Sequence, residues 1–378
     1  MPVDFSEFSP VSKAAWLQQV DKDLKEKSLA DFDWQPSPGL VVTPFVQADD
    51  FPTPPAPLQT VATPWEICET VDTMDAEAAN RQILEALEFG AEALELPLPA
   101  AADVAHLRQA LGGVYLDFVG LHFAGPGVTH NPGAVLASLQ RLATEQQLAP
   151  AQLRGSLAYD PVMQATLVDW RYLVDLLGFA KPAFPAFKLI TIGSPDDAPE
   201  DAVAELVQLL HQGNFYLQKL TERGLAAADV AGVMQFSMTI GKSYFLEIAK
   251  IRAFKLLWLN VLKGWNAPLE YPHIAARFSP AAYTDDLYNN MVRATTMAMS
   301  AVLGGADRLT VLPYDAGREA QATYSQSFSR RIARNVQHLL KMESGLDQLA
   351  DPAAGSYYIE QLTAQLGKLV WERFAQAH

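Results

Sequence analysis

A chain of 378 residues, 49% of them hydrophobic, can build one large α/β barrel or two ordinary domains. Its 28 Lys and Arg stand against 43 Asp and Glu, and the resulting net charge of −15 argues against a nucleic-acid partner, because phosphate backbones demand clustered cations. The single cysteine, Cys68, excludes an internal disulfide framework, and no uncharged apolar run approaches the roughly 18 residues of a membrane span.

The first residues, MPVDFSEFSP, have neither the basic start nor the apolar core of an export signal, so the expected location is cytoplasmic. A helix pattern follows from about Lys13 to Lys27. Between Gln35 and Pro64, eight prolines remove backbone donors and force extended geometry. Residues 1–64 therefore read as an arm that either wraps its own body or reaches a partner.

From residue 65 to 378, short apolar runs alternate with helix-length stretches. Candidate strands are ALEL (93–96), VYLDFVGLHF (114–123), GSLAYD (155–160), FKLITIGS (187–194), QFSMTIG (235–241), HIAARFS (273–279), RLTVLPYD (308–315) and SYYIE (356–360). Eight strands with crossover helices predict an α/β fold, a (β/α)8 TIM barrel preceded by the extended arm. A doubly wound sheet is the alternative, but the GxGxxG fingerprint of a dinucleotide site is missing. One helix is peculiar: FLEIAKIRAFKLLW (245–258) carries Glu247, Lys250, Arg252 and Lys255 scattered around an otherwise apolar cylinder. Such a helix is either buried on both sides or a core helix of a large domain whose charges snorkel to the rim.

Barrel chemistry sits at the C-terminal strand ends. There the sequence offers the carboxylates Asp160, Asp196, Asp197 and Asp315, each more readily a helix cap or turn residue than an acid or base. The histidines at 106, 122, 130, 211, 273, 338 and 378 form no HExxH or HxH pair, which argues against a metal site. His122, on an apolar strand, reads as a hydrogen-bonded core residue, and Cys68 as a small apolar filler.

Four segments carry a resemblance. IGKSYFLEIAKIRAFKLLW (240–258), DDLYNNMVRATTMAMSAVLGGADRL (285–309), FSRRIARNVQHLLKMES (328–344) and DPAAGSYYIEQLT (351–363) resemble, in this order, segments of the methylmalonyl-CoA mutase family. PWEI, EALEFGAEALEL, FKLITIG and the arm's AAWLQQVDKDLK are similar more weakly, so the resemblance covers essentially the whole chain. It implies a barrel that holds an acyl-CoA along its axis for radical carbon-skeleton rearrangement, and a separate C-terminal domain that binds adenosylcobalamin through a DxHxxG motif. That motif occurs nowhere in this sequence, which ends at His378, where the resemblance places the end of the eighth barrel helix.

The family's catalytic and substrate positions are replaced as well. Its WTIRQYAGF-like loop corresponds to WEICETVDT, with Thr70 at the Tyr and Cys68 at the Arg. The Gly-Tyr-His run after strand four becomes Gly193, Ser194, Pro195; the Arg-x-Ser-Phe-Phe segment that meets CoA becomes Val233 to Ser237, with Gln235 at the Ser. The Arg-Thr-His-x-Gln run at strand six becomes Pro272, His273, Ile274, Ala275, Ala276. Val, Pro and Ala supply no charge-assisted donors for a carboxylate or phosphate, and proline cannot polarise a thioester carbonyl.

The family includes heterodimers with a small, or beta, subunit, and the resemblance implies such a non-catalytic barrel. It would hold no cofactor and would stabilise a large (alpha) subunit that carries adenosylcobalamin. Two alternatives remain: a mutase barrel working with a separate cobalamin-binding subunit, and an acyl-CoA-binding sensor. Helix 245–258 would then lie between the barrel wall and either a subunit or the chain's own arm.

Overall fold

The computed structural model describes residues 11–62, 64–164, 167–193 and 201–376. Eight parallel strands follow one another around a ring: β1 (Glu66–Thr70), β2 (Ala93–Pro97), β3 (Gly120–Ala124), β4 (Arg154–Leu157), β5 (Ala186–Lys188 and Ile190–Gly193), β6 (Met234–Ile240), β7 (Ile274–Phe278) and β8 (Arg308–Thr310). β5 is broken at Leu189, so its first half pairs with β4 and its second with β6. β8 pairs back onto β1, which closes the (β/α)8 barrel and excludes the open sheet.

The main crossover helices are α1 (Ala76–Glu88), α2 (Val104–Ala110), α3 (Pro132–Glu145), α4 (Trp170–Ala183), α5 (Ala202–Thr221), α6 (Tyr244–Gly264), α7 (Leu287–Gly304) and α8 (Gln326–His338). A ninth helix, α9 (Tyr357–Gln376), extends beyond the barrel. Asp75, Asp103, Asn131, Asp169, Asp201, Asp286 and Ser325 cap seven of these helices by accepting backbone N–H bonds. Along the strands every second residue, such as Ile67, Leu94, Leu121, Phe123, Phe236 and Met238, is buried beneath the helices.

Three expectations need correction. The predicted eighth strand, 356–360, is the start of α9, whose Ile359, Leu362, Leu366, Val370 and Phe374 recur at helical spacing and are buried. The strand missing from the sequence reading is β1, where Glu66 and Glu69 interrupt the apolar run. The predicted strand 114–123 is reduced to β3, because the chain before Gly120 turns instead of extending.

α6 resolves the problem of the helix without a wet face. On its inner side Phe254 and Trp258 meet Phe236 of β6, with ring centroids 4.7 and 4.8 Å apart. Trp258 comes so close to α5 that a Cβ on Gly213 would stand 2.5 Å from its ring. On its outer side the neighbour is α9, joined through Ile248 against Ile359 and Phe245 against Tyr358. The second neighbour is therefore α9 of the same chain, and the arm adjoins the seam as well, with Trp34, Gln35 and Pro36 lining a cavity beside Leu246, Glu247 and Lys250.

The charges of α6 do not snorkel. Lys250 donates to Glu205 at 2.8 Å and to the Thr239 carbonyl at 2.6 Å, with Glu247 2.7 Å away. Burial opposes the Lys250 charge, but the two carboxylates outweigh it and hold the ammonium above its ordinary pKa. Arg252 donates to Asp351 and, at 2.7 Å, to Glu360 of α9. Asp351 also accepts the Leu58 N–H from the arm at 2.6 Å.

The arm carries a helix (Lys13–Leu24) and an antiparallel hairpin (Trp34–Ser37 with Leu40–Val42). Leu40 and Val42 are buried in the main core, Arg373 of α9 donates to the Pro38 carbonyl at 2.6 Å, and Phe51 stacks on Tyr357. Of the two fates expected for it, the arm from Trp34 to Leu58 wraps its own body. No described helix is long and apolar enough to cross a membrane.

Candidate functional site

Strand register turns Glu66, Cys68, His122, Arg154, Ser156, Gln235 and Arg308 into the bore, away from the helical layer. The bore is thus polar where the outer faces of the strands, apart from Glu69 on β1, are apolar. Arg308 on β8 donates from Nη1 to Ser156 Oγ on β4, at 3.3 Å. In a ring of eight, these strands face each other across the full diameter, so this bond spans the channel. Ser156 Oγ lies 2.8 Å from His122 Nδ1, and His122 Nε2 lies 3.2 Å from Glu66. Glu66 in turn accepts from Arg154 Nε at 3.1 Å. A Cβ on Gly120 would stand only 3.0 Å from both Ala93 and the Glu66 carboxylate, so glycine here makes room for the crossing side chains.

The network fixes its own proton positions. A carboxylate only accepts, so His122 Nε2 carries the hydrogen; Nδ1 then accepts from Ser156, whose oxygen accepts from Arg308. Burial holds the His122 pKa well below 6.5, with Arg308, His273 and Arg154 adding to the effect. The His122–Glu66 contact is therefore a hydrogen bond donated by a neutral imidazole to a carboxylate, not an ion pair.

Serine, histidine and carboxylate stand in hydrogen-bonded series, the order of a nucleophile relay. Here, however, Ser156 is 2% exposed, its oxygen is covered by Arg308, and its proton is directed to a histidine that is itself 4% exposed. The arrangement supports closure of the bore. Burial pushes the Cys68 thiol up to about 12, which keeps it protonated and inert. Gln235 donates to Thr191 Oγ1 at 2.8 Å, whereas Gln235 Oε1 and Arg308 Nε find no hydrogen-bond partner among the described residues.

At the C-terminal rim, Asp160 accepts from the Tyr216 hydroxyl at 2.6 Å and from the Met163 N–H at 3.3 Å. Burial raises its pKa, and the Tyr216 bond works against that rise. Asp315 accepts from Ser329 Oγ of α8 at 2.6 Å. Both act as fasteners between a strand end and a helix, while Asp196 and Asp197 lie outside the described residues. The histidines are dispersed: His106 bonds the Thr73 carbonyl, His130 the Pro126 carbonyl and His338 the Phe89 carbonyl, and His211 lies against Phe374. His273 is kept neutral by burial, and His378 lies outside the described residues. Among the described residues no group of three or more His, Cys, Asp or Glu can hold a metal.

The positions singled out by resemblance do not form one constellation. Thr70 is exposed at the C-terminal end of β1, and Cys68 lies one layer deeper in the bore. Val233 precedes β6 at the opposite, N-terminal end, where its carbonyl accepts from Leu189 and Ile190. Pro272 precedes β7, whereas Ile274 and Ala276 face the helical layer and leave Ala275 and Arg277 on the bore side. Pro195 lies outside the described residues. Sequence reasoning missed the Glu66–His122–Ser156–Arg308 series, whose members are scattered over 243 positions and share no motif.

Residues 100–378 match the model of the family described as Methylmalonyl-CoA mutase. The chain is 32% identical to the methylmalonyl-CoA mutase small subunit of Porphyromonas gingivalis, an alignment covering 98% of this chain and 63% of that protein. Identity to the small subunit from Streptomyces virginiae is 31%, over 82% of this chain and 51% of that one. A protein named methylmalonyl-CoA mutase, from Cereibacter sphaeroides, is 29% identical over 94% of this chain and 57% of its own length. The chain thus spans between 51% and 63% of the length of these relatives.

Proposed function

The chain belongs to the methylmalonyl-CoA mutase family, and from that premise we infer that it is an assembly subunit: a non-catalytic barrel that binds and stabilises a large mutase subunit. The reacting centre and adenosylcobalamin, which supplies the radical, reside in that large subunit. The complex interconverts succinyl-CoA and methylmalonyl-CoA. The observation that carries this reading is the Arg308–Ser156 bond across the bore. A substrate threaded along the axis would have to displace the buried Arg308 from Ser156, stripping a buried cation of that hydrogen bond. The small-subunit names of two relatives support the partner.

The test is reconstitution with the large subunit and adenosylcobalamin. Isomerase activity should stay within about twofold of wild type when Thr70→Ala is introduced here, as expected for a residue that contributes nothing to the transition state. A loss of a hundredfold or more would place catalysis in this chain. Calorimetry of the isolated chain with succinyl-CoA should show no binding heat, and saturable binding would favour the sensor reading instead.

A further inference from the structure

A large cavity lies at the N-terminal end of the barrel, opposite the rim where barrel chemistry sits. It is a groove of about 740 Å³ whose walls are Trp65, Leu84, Leu87, Val114, Tyr115 and Phe118. Tyr115 and Phe118, both 74% exposed, form an edge-to-face pair with centroids 6.4 Å apart. Leu84, 40% exposed, continues the apolar wall. Exposed aromatic and aliphatic side chains grouped around a concavity are the composition of an interface core.

The base of the groove is already satisfied. Arg154 bonds Glu66 and the Phe118 carbonyl, and Lys341 bonds Glu92 and the Trp65 carbonyl. An occupant therefore needs apolar side chains for the walls and no charge for the floor. The lining has a sign, however: with Glu66 paired to Arg154 and Glu92 to Lys341, Glu88 is the one lining carboxylate left over. Glu88 is exposed and makes no ion pair with any described residue. A second copy of this chain would bring the same acidic rim, and another net charge of −15, against it. A different chain with a basic flank would not.

We propose that this groove docks the large mutase subunit, through one or two aromatic or aliphatic side chains flanked by Lys or Arg. The proposal rests on the assembly-subunit reading and adds the place and chemistry of contact. Docking at the N-terminal end leaves the C-terminal rim out of the contact, consistent with a chain that stabilises its partner without completing a site.

The experiment measures binding of the full chain to the large subunit, by surface plasmon resonance at two salt concentrations. The Tyr115→Ala/Phe118→Ala double variant should weaken binding at least about tenfold, the scale of central aromatic anchors. Its thermal unfolding should match wild type, because both side chains are mostly exposed in the free chain. Glu88→Lys should weaken binding several-fold and flatten the salt dependence. Wild-type affinity in the double variant would overturn the groove while leaving the assembly reading intact. Failure of the wild-type chain to bind the large subunit would overturn both. Self-association of the wild type that Tyr115→Ala/Phe118→Ala abolishes would assign the groove to a second copy and overturn the proposal.

Discussion

The bore and the α6–α9 seam both bury charge, and they do so differently. In the seam every charge is answered at short range by an opposite one: Lys250 by Glu205 and Glu247, Arg252 by Asp351 and Glu360. In the bore one buried cation, Arg308, reaches across the channel to a neutral hydroxyl; its Nε is left without a hydrogen-bond partner, as is Arg252 Nε in the seam, so the contrast lies in the partner's charge. The seam is organised as a joint that must hold. The bore looks like a lining whose residues have closed on one another, with polarity in excess of what packing requires.

The largest expected effect breaks the seam. Arg252→Met removes the guanidinium that satisfies Asp351 and Glu360, which are 5% and 10% exposed at their side chains. Leaving two carboxylates buried and unpaired should cost about 3–5 kcal/mol, read as a drop in the urea midpoint. It should also raise protease sensitivity in the arm near Leu58 and at the start of α9, since Asp351 ties both to the barrel. Loss of less than about 1 kcal/mol would mean that the seam is solvated like an ordinary surface pair.

How much of this was legible follows from the same contrast. Seven of the strands showed in the sequence because their outward residues are apolar and the turns between them are punctuated. β1 did not, because its Glu66 faces the bore and its Glu69 pairs with Arg334 of α8, so neither face of EICET is cleanly hydrophobic. SYYIE was mistaken for a strand on its aromatic and β-branched content, although the spacing from Ile359 to Phe374 already carried a helical period. The seam was half legible: the all-round apolar character of α6 demanded two neighbours, but Asp351 and Glu360 lie about a hundred residues from Arg252 and nothing local announces them. Of the bore, His122 as a hydrogen-bonded core residue and Cys68 as a filler were legible, but the series joining Glu66, His122, Ser156 and Arg308 was not, because its members meet only when β8 closes onto β1.

A smaller effect sharpens the bore. Ser156→Ala removes the hydroxyl that accepts from Arg308 Nη1 and donates to His122 Nδ1, and should cost about 1–3 kcal/mol, the penalty of orphaned buried polar groups. In the reconstituted complex the specific activity should not change. If activity rises or falls with the folded fraction held constant, the bore communicates with the reacting centre and the closed-channel reading fails.

The smallest effect is a pH dependence. The folded pKa of His122 lies well below 6.5, chiefly through burial and then through Arg308, His273 and Arg154. Between the folded and unfolded pKa values the unfolded chain binds more protons, so stability rises with pH there. The contribution is complete above about 6.5 and is lost as pH falls through the folded pKa. Glu66, across from Nε2, is the one carboxylate bonded to the ring; the cations around it oppose a second charge. His122→Gln keeps a donor for Glu66 and an acceptor for Ser156 but cannot titrate. It should therefore flatten the loss of stability below pH 6.5 by at most about 1.4 kcal/mol per pH unit, with His273 supplying what slope remains. An unchanged slope would mean that His122 already titrates in the native state, hence that water reaches the middle of the bore, and the channel would have to be regarded as open to a substrate.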